Sequence, residues 1–212
     1  MNTTTKLTLC AALLFGCSTA LADQAGDDAQ AAADASAAAR RVAVTVCASC
    51  HGPQGRSISP KFPQLAGQKA GYLVAQMKNF KAQTRGDPDA MAYMWGMSAT
   101  LDDELITGLA AYYAAQQPQH GEARNAAGVA RGKEIFLAGV PAEGIPPCAA
   151  CHGADAAGTE EFPRLAGQKS QYLLKQLHSF QNKQRNVAIM HGVAGGLKLD
   201  EMISVATYLQ SL

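Results

Sequence analysis

Apolar side chains recur along this chain at helical intervals. Leu73, Met77 and Phe80 stand at i, i+4 and i+7, and Leu173, Leu177 and Phe180 repeat the interval, so each triplet predicts a helix with one buried face. A second amphipathic stretch closes each half, over 102–116 and 198–211, with Thr100 and Asp103 as a candidate capping pair for the first. Residues 23–39 are rich in Ala, with scattered Asp and almost no large apolar side chain. They read as a flexible leader whose later part turns helical, because Ala is the best helix former.

The pattern is written twice. Phe62-Pro63-Gln64-Leu65-Ala66-Gly67-Gln68-Lys69 recurs as Phe162-Pro163-Arg164-Leu165-Ala166-Gly167-Gln168-Lys169, differing only at the third position. At the same offset Tyr72 matches Tyr172, Gln76 matches Gln176, Phe80 matches Phe180 and Arg85 matches Arg185. A period of roughly 100 residues is a domain duplication, too long for a solenoid repeat. The polar, Pro- and Gly-containing stretch 116–125 is the linker. The expected division is a targeting segment at 1–22, a first domain at 23–118 that includes the leader 23–39, and a second domain at 119–212.

Each half also carries Cys-x-x-Cys-His: Cys47, Cys50 and His51, then Cys148, Cys151 and His152. A lone Cys-x-x-Cys could be a redox dithiol or half of a zinc site. Two copies, each followed directly by His, have the spacing at which c-type haem is attached. Thiols at i and i+3 project from one side of a helical turn, so both can bond the vinyl groups along one porphyrin edge. The histidine after them lies under the iron as a nitrogen ligand. The expected cofactors are two covalently bound c-type haems, with the four cysteines as attachment points.

Composition agrees with this. Aromatic residues make up only 6% of the chain, and two haems would supply the missing flat apolar area. Of the six cysteines, Cys10 and Cys17 lie near the start and the other four form the haem pairs, so none remains for a structural disulfide. Removing residues 1–22 takes away Lys6 and no acid, leaving basic and acidic side chains equal in number. Nothing in that balance suggests a nucleic-acid-binding surface.

The N-terminus reads as an export signal. Lys6 is the positive start, Leu7 to Phe15 a short apolar run, and Ala20-Leu21-Ala22 an A-x-A cleavage site. The run is far short of the about 20 residues a membrane span needs. The alternative is a lipoprotein signal in Leu14-Phe15-Gly16-Cys17, with Cys17 lipidated and retained, although Phe beside the Gly is atypical of that motif. Periplasmic export with ordinary cleavage is the expectation.

The duplication also picks out the second axial ligands. Sliding the ends of the halves together without gaps pairs Leu101 with Leu197, Leu109 with Val205 and Tyr112 with Tyr208. In that register Met94 falls on Met190, whereas Met97 falls on Val193 and Met91 on Val187, neither of which can ligate iron. Met94 and Met190 are therefore the expected partners of His51 and His152, each on a Gly-containing loop ahead of the last helix. Met202 pairs with Ile106 and is better explained by packing. His120 lies in the linker, His178 matches Lys78 on a polar helix face, and His191 matches Trp95, so none is required as a ligand.

With its paired Cys-x-x-Cys-His motifs, paired F-P-x-L-A-G-Q-K segments and Met-x-Gly segments, the chain resembles the class I c-type cytochromes, and among them the dihaem cytochrome c4 group. The resemblance covers essentially the whole mature chain. It implies an all-α protein of two tandem cytochrome c domains, the first and last helices of each crossing. It further implies that Pro63 and Pro163 lend backbone carbonyls to His51 and His152, and that Leu65 and Leu165 pack on the haems. Trp95 departs from the family pattern as a bulky neighbour of a ligand that could shield the first haem.

The implied function is periplasmic transfer of single electrons between respiratory complexes, for example from a quinol-oxidising complex to a terminal oxidase or reductase, by a diffusible or loosely membrane-associated carrier that is not itself an enzyme. The alternative is a fixed cytochrome subunit of a flavin-containing sulfide dehydrogenase or similar enzyme. Six-coordinate His/Met iron has no open site for substrate, which argues against a dihaem peroxidase.

Overall fold

The computed structural model describes residues 15–122 and 125–212, with side chains from residue 29 onward. Residues 1–14, which hold the positive start and most of the apolar run of the expected export signal, lie outside the described residues. The described chain is helical and contains no strand, only two isolated antiparallel bridges, Arg85 with Arg185 and Val140 with Ile145. None of the described helices is long and apolar enough to cross a membrane.

The first half begins with α1, Phe15–Val42. The Ala-rich stretch is thus helical throughout and not a loose leader, as its high propensity permits; Arg40 and Arg41 in the last turn suit the negative end of the helix dipole. The chain continues through a wider turn, Ala43–Cys47, into a single turn Ala48–His51 that ends at Gly52. Gly52 has φ +74°, and a Cβ there would stand 2.2 Å from the Arg56 carbonyl oxygen, so only glycine closes the turn. The helix α2, Ala70–Lys81, buries Leu73 and Phe80 as the apolar spacing predicts. The helix α3, Asp103–Ala114, is capped by Asp102, whose carboxylate accepts from the Leu105 N–H at 2.8 Å. The N-cap is therefore two residues after Thr100, the cap of the expected Thr100–Asp103 pair, because Asp102 holds the extended backbone that an N-cap needs.

The second half repeats this plan. Its first helix, α4, Ala126–Ala138, was not marked by the apolar spacing and starts at Asn125, whose side chain accepts from the Gly128 N–H. The Cys-His turn Ala149–His152 ends at Gly153, φ +79°. Then come α5, Ser170–Gln181, α6, Ala188–Gly196, and α7, Leu199–Gln210, where the Lys198 N–H donates to the Glu201 carboxylate at 2.9 Å. Each half has its own apolar core: Ile106, Leu109 and Tyr113 in the first, Ile135, Phe136, Met202 and Val205 in the second. Met202 is fully buried, which agrees with a packing role.

The first and last helices of each half cross at small residues, α1 on α3 and α4 on α7. Ala39 meets Gly108 at the first crossing, and Gly132 meets Ser204 at the second. A Cβ at Gly132 would lie 2.0 Å from the Ser204 carbonyl oxygen, which is backbone and cannot swing aside. Gly132→Val is therefore expected to force the helices apart and cost at least about 2 kcal/mol. Thermal unfolding of the haem-loaded variant measures this, and an unchanged midpoint would show that the crossing is not tight.

The halves are locked together by a pseudo-twofold exchange between the repeated segments. Gln168 accepts from the Gln64 N–H at 2.8 Å and donates to the Gln64 carbonyl at 3.0 Å; Gln68 does the same to the backbone of Arg164 at 2.7 and 3.0 Å. The linker runs over the same turns. Pro118 covers Gly67, and the Gln119 carbonyl covers Gly167, at distances that leave no room for a Cβ.

Candidate functional site

The two Cys-His turns open onto one predominantly apolar cavity of about 970 Å³ that both halves line. That volume lies at the upper end for a single small-molecule pocket, and it is shared between two sets of donors. His51 Nδ1 lies 3.1 Å from the Pro63 carbonyl oxygen, and His152 Nδ1 lies 3.1 Å from the Pro163 carbonyl oxygen. A carbonyl only accepts, so each Nδ1 carries the proton and each Nε2 keeps its lone pair for a metal. Phe62 and Phe162 stand edge-on to these rings, with centroids 6.1 and 6.0 Å away. Burial holds both imidazoles below the ordinary histidine pKa, against the pull of the proline carbonyls, which keeps them neutral. Burial likewise pushes the Cys148 thiol up to about 11.

Met94 and Met190 are half-buried and line the same cavity, as do Leu65 and Leu165. The methionines sit on helical turns, not on the expected loops: Met94 ends the turn Ala90–Met94, and Met190 is in the first turn of α6. Glycine there does not break the helix; Gly96 and Gly192 lie within helical segments and have open space beside them. Ser98, fully buried, donates to the Met94 carbonyl at 2.7 Å. Met97 also reaches the cavity but is 46% exposed, and Met91 is 47% exposed.

Trp95 and His191 prove to have one shared job. Trp95 Nε1 donates to the Arg85 carbonyl at 2.8 Å, and His191 Nε2 lies 2.8 Å from the Arg185 carbonyl. Each ring ties its methionine-bearing turn to the segment before it, which leaves His191 Nε2 occupied. His120 is exposed and His178 half-buried on α5.

Between the two donor sets lies a buried polar cluster that the repeat implied and sequence reasoning did not interpret. Arg85 donates to Gln76 at 2.7 Å, to Gln176 at 2.9 Å and to the Tyr172 hydroxyl at 3.3 Å. Arg185 donates to Gln176 at 2.7 Å, to Gln76 at 2.9 Å and to the Tyr72 hydroxyl at 2.7 Å. The available signal was that these residues match in pairs at one offset. Polar residues that repeat while their neighbours vary must meet something constant, and here each set meets the other.

A sequence model of the cytochrome c family matches residues 36–115 and again 129–212. Cytochrome c4 of Azotobacter vinelandii is 37% identical over 205 residues, covering 92% of this chain and 93% of that one. The chain belongs to the dihaem cytochrome c4 family. The solved structure of Acidithiobacillus ferrooxidans cytochrome c4 has a TM-score of 0.75 and 42% identity, covering 78% of this chain and 98% of that one. A thiosulfate dehydrogenase electron acceptor from Thiomonas intermedia is 34% identical over 185 residues, covering 84% of this chain and 83% of that one. As a cytochrome c4 the chain is a dihaem electron-transfer protein carrying two covalently bound c-type haems. The residues present fit that cofactor. The cavity is apolar, thiols flank each histidine, both Nε2 atoms are free to ligate, and a thioether is available in each half.

Proposed function

We propose that this cytochrome c4 carries single electrons between respiratory redox complexes in the periplasm, reached by cleavage after residue 22. In this reading Cys47 and Cys50 hold the first haem and His51 and Met94 ligate it. Cys148 and Cys151 hold the second, with His152 and Met190. When bound, each His/Met haem supplies a one-electron couple at raised potential with no vacant coordination position. The chain's own contribution is orientation and exclusion of water. The proline carbonyls fix the imidazole planes, and Trp95 and His191 hold the methionine turns in place. The observation that carries the reading is that both halves bring the same donor set to one apolar cavity through the same supporting hydrogen bonds.

The electron-acceptor relative supports a second reading, a cytochrome that takes electrons from one dedicated dehydrogenase. That relative's name specifies thiosulfate, which shifts the candidate donor away from a flavin-containing sulfide dehydrogenase. Affinity isolation of the haem-loaded protein from native extract separates the two. A free carrier is expected to come away without a stoichiometric partner. A dehydrogenase in one-to-one ratio would replace the carrier reading with the dedicated one.

A further inference from the structure

The cluster between the halves repeats its guanidinium and amide groups and does not repeat its carboxylate. Arg85 Nε donates to Asp87 at 2.7 Å, with the Asp87 side chain only 2% exposed, and Gln176 donates to the other Asp87 oxygen at 3.2 Å. Counted from the arginine, Val187 stands where Asp87 does, and Arg185 Nε is buried without a partner. The segment is also shorter: Met94 follows Arg85 by nine residues, whereas Met190 follows Arg185 by five, with no acid between them. Asp87, Arg85 and Arg185 all line the cavity.

We infer that Asp87 sets the two haem potentials apart, giving the first centre the lower one. The inference rests on the ligand assignment proposed above. Oxidised haem iron carries one more positive charge than reduced, so a nearby carboxylate favours the oxidised form and a nearby cation disfavours it. In the first half Asp87 cancels Arg85 on the segment that leads into Met94. In the second half no carboxylate lies on the segment that leads into Met190, and Asp87 reaches Arg185 more weakly than it reaches Arg85. Burial pushes the Asp87 carboxyl up, but Arg85 and the bond from Gln176 more than offset this and keep it ionised.

Arg164, which stands where the first half has Gln64, is half-buried, lines the cavity and biases the centres in the same direction as Asp87; the exposed charge differences are weaker. Lys61 and Glu161 occupy matched positions with the opposite bias, but both are exposed and screened by solvent and salt. Asp89 is already paired across the halves with Lys175, and both are more than a third exposed.

The test uses the full haem-loaded chain with Asp87→Asn and, separately, Val187→Asp, each titrated spectroelectrochemically for its two midpoint potentials. The first substitution removes the carboxylate that lowers one potential; the second supplies Arg185 with the partner it lacks, at a site 36% exposed that tolerates a polar side chain. Each is expected to narrow the gap between the potentials. The expected change is at least about threefold in the relative redox equilibrium of the two centres, or about 28 mV at 59 mV per decade. A gap that stays the same or widens in Val187→Asp overturns the inference, as does an unchanged gap in Asp87→Asn. The near-red band of methionine-ligated ferric haem checks the ligands independently. Two equivalents in the unsubstituted protein uphold the assignment, and fewer would overturn it together with this inference.

Discussion

Met190→Ala is expected to remove one of two equivalents of near-red absorbance and to leave the second iron open to cyanide, while the first keeps its band. Alanine has no donor atom, and the other methionines of that half offer no substitute, because Met202 is fully buried in the core. Axial ligands govern haem potentials over a range of about 0.8 V, and thioether ligation lies toward the high end. The second potential should therefore fall by a sizeable part of that range, with the first little changed. Met94→Ala should mirror this. In the first half Met97 also lines the cavity, so a partial band in Met94→Ala but not in Met190→Ala would show Met97 acting as a replacement. If neither variant loses a band, Met94 and Met190 do not ligate the irons.

The second large effect concerns haem itself. A chain with Cys47, Cys50, Cys148 and Cys151 all changed to Ala, made without haem, is expected to be largely unfolded at ordinary temperature. Leaving about 970 Å³ unfilled would cost up to about 23 kcal/mol at roughly 24 cal/mol per Å³. Entry of water lowers that ceiling, but a domain has only about 5–15 kcal/mol in total to lose. The two cores are small and separate, Ile106, Leu109 and Tyr113 in one and Ile135, Phe136 and Met202 in the other, so neither can hold the cavity walls apart alone. Circular dichroism across a thermal scan decides this. A cooperative transition near that of the haem-loaded protein would mean that the polypeptide packs without its cofactor.

Legibility from sequence followed how local the determinants are. The Cys-x-x-Cys-His turns, the proline-bearing segments and the helix faces of Leu73 and Leu173 depend on neighbours a few residues away, and the structure has them where the spacing and the resemblance put them. Duplication also lets one half be compared with the other, which favours Met94 and Met190 over Met91 and Met97, a choice that the alanine variants test. The misreadings were of two kinds. Glycine beside the methionines suggests loops, yet Gly96 and Gly192 sit in helical turns, which glycine weakens without excluding. Thr100 and Asp103 suggest the cap of α3, which the structure forms with Asp102 instead, extended in backbone and bonded to the Leu105 N–H.

The larger omission was the meeting of the halves. Gln68, Gln76 and Arg85 match their counterparts in register, which by itself indicates common descent. Their hydrogen bonds run almost entirely to the opposite half or to each other. Residue spacing along one chain does not reveal that two repeats will face each other. The closest sequence-level clue was their polar character at positions otherwise expected to be free to vary.

The glutamine exchange has the self-complementarity of an interface between two identical subunits, in which residue i meets j and j meets i. Two separate copies of one half could associate through it, but identical genes would oblige them to carry identical charges, and their two irons would be equivalent. Joining the copies in one polypeptide lifts that obligation. Each half can then acquire or lose a side chain without its twin following, as at Asp87 and Val187, while the contact surface inherited by both remains intact. Covalent fusion in this molecule therefore does more than keep two centres close: it is what permits them to differ.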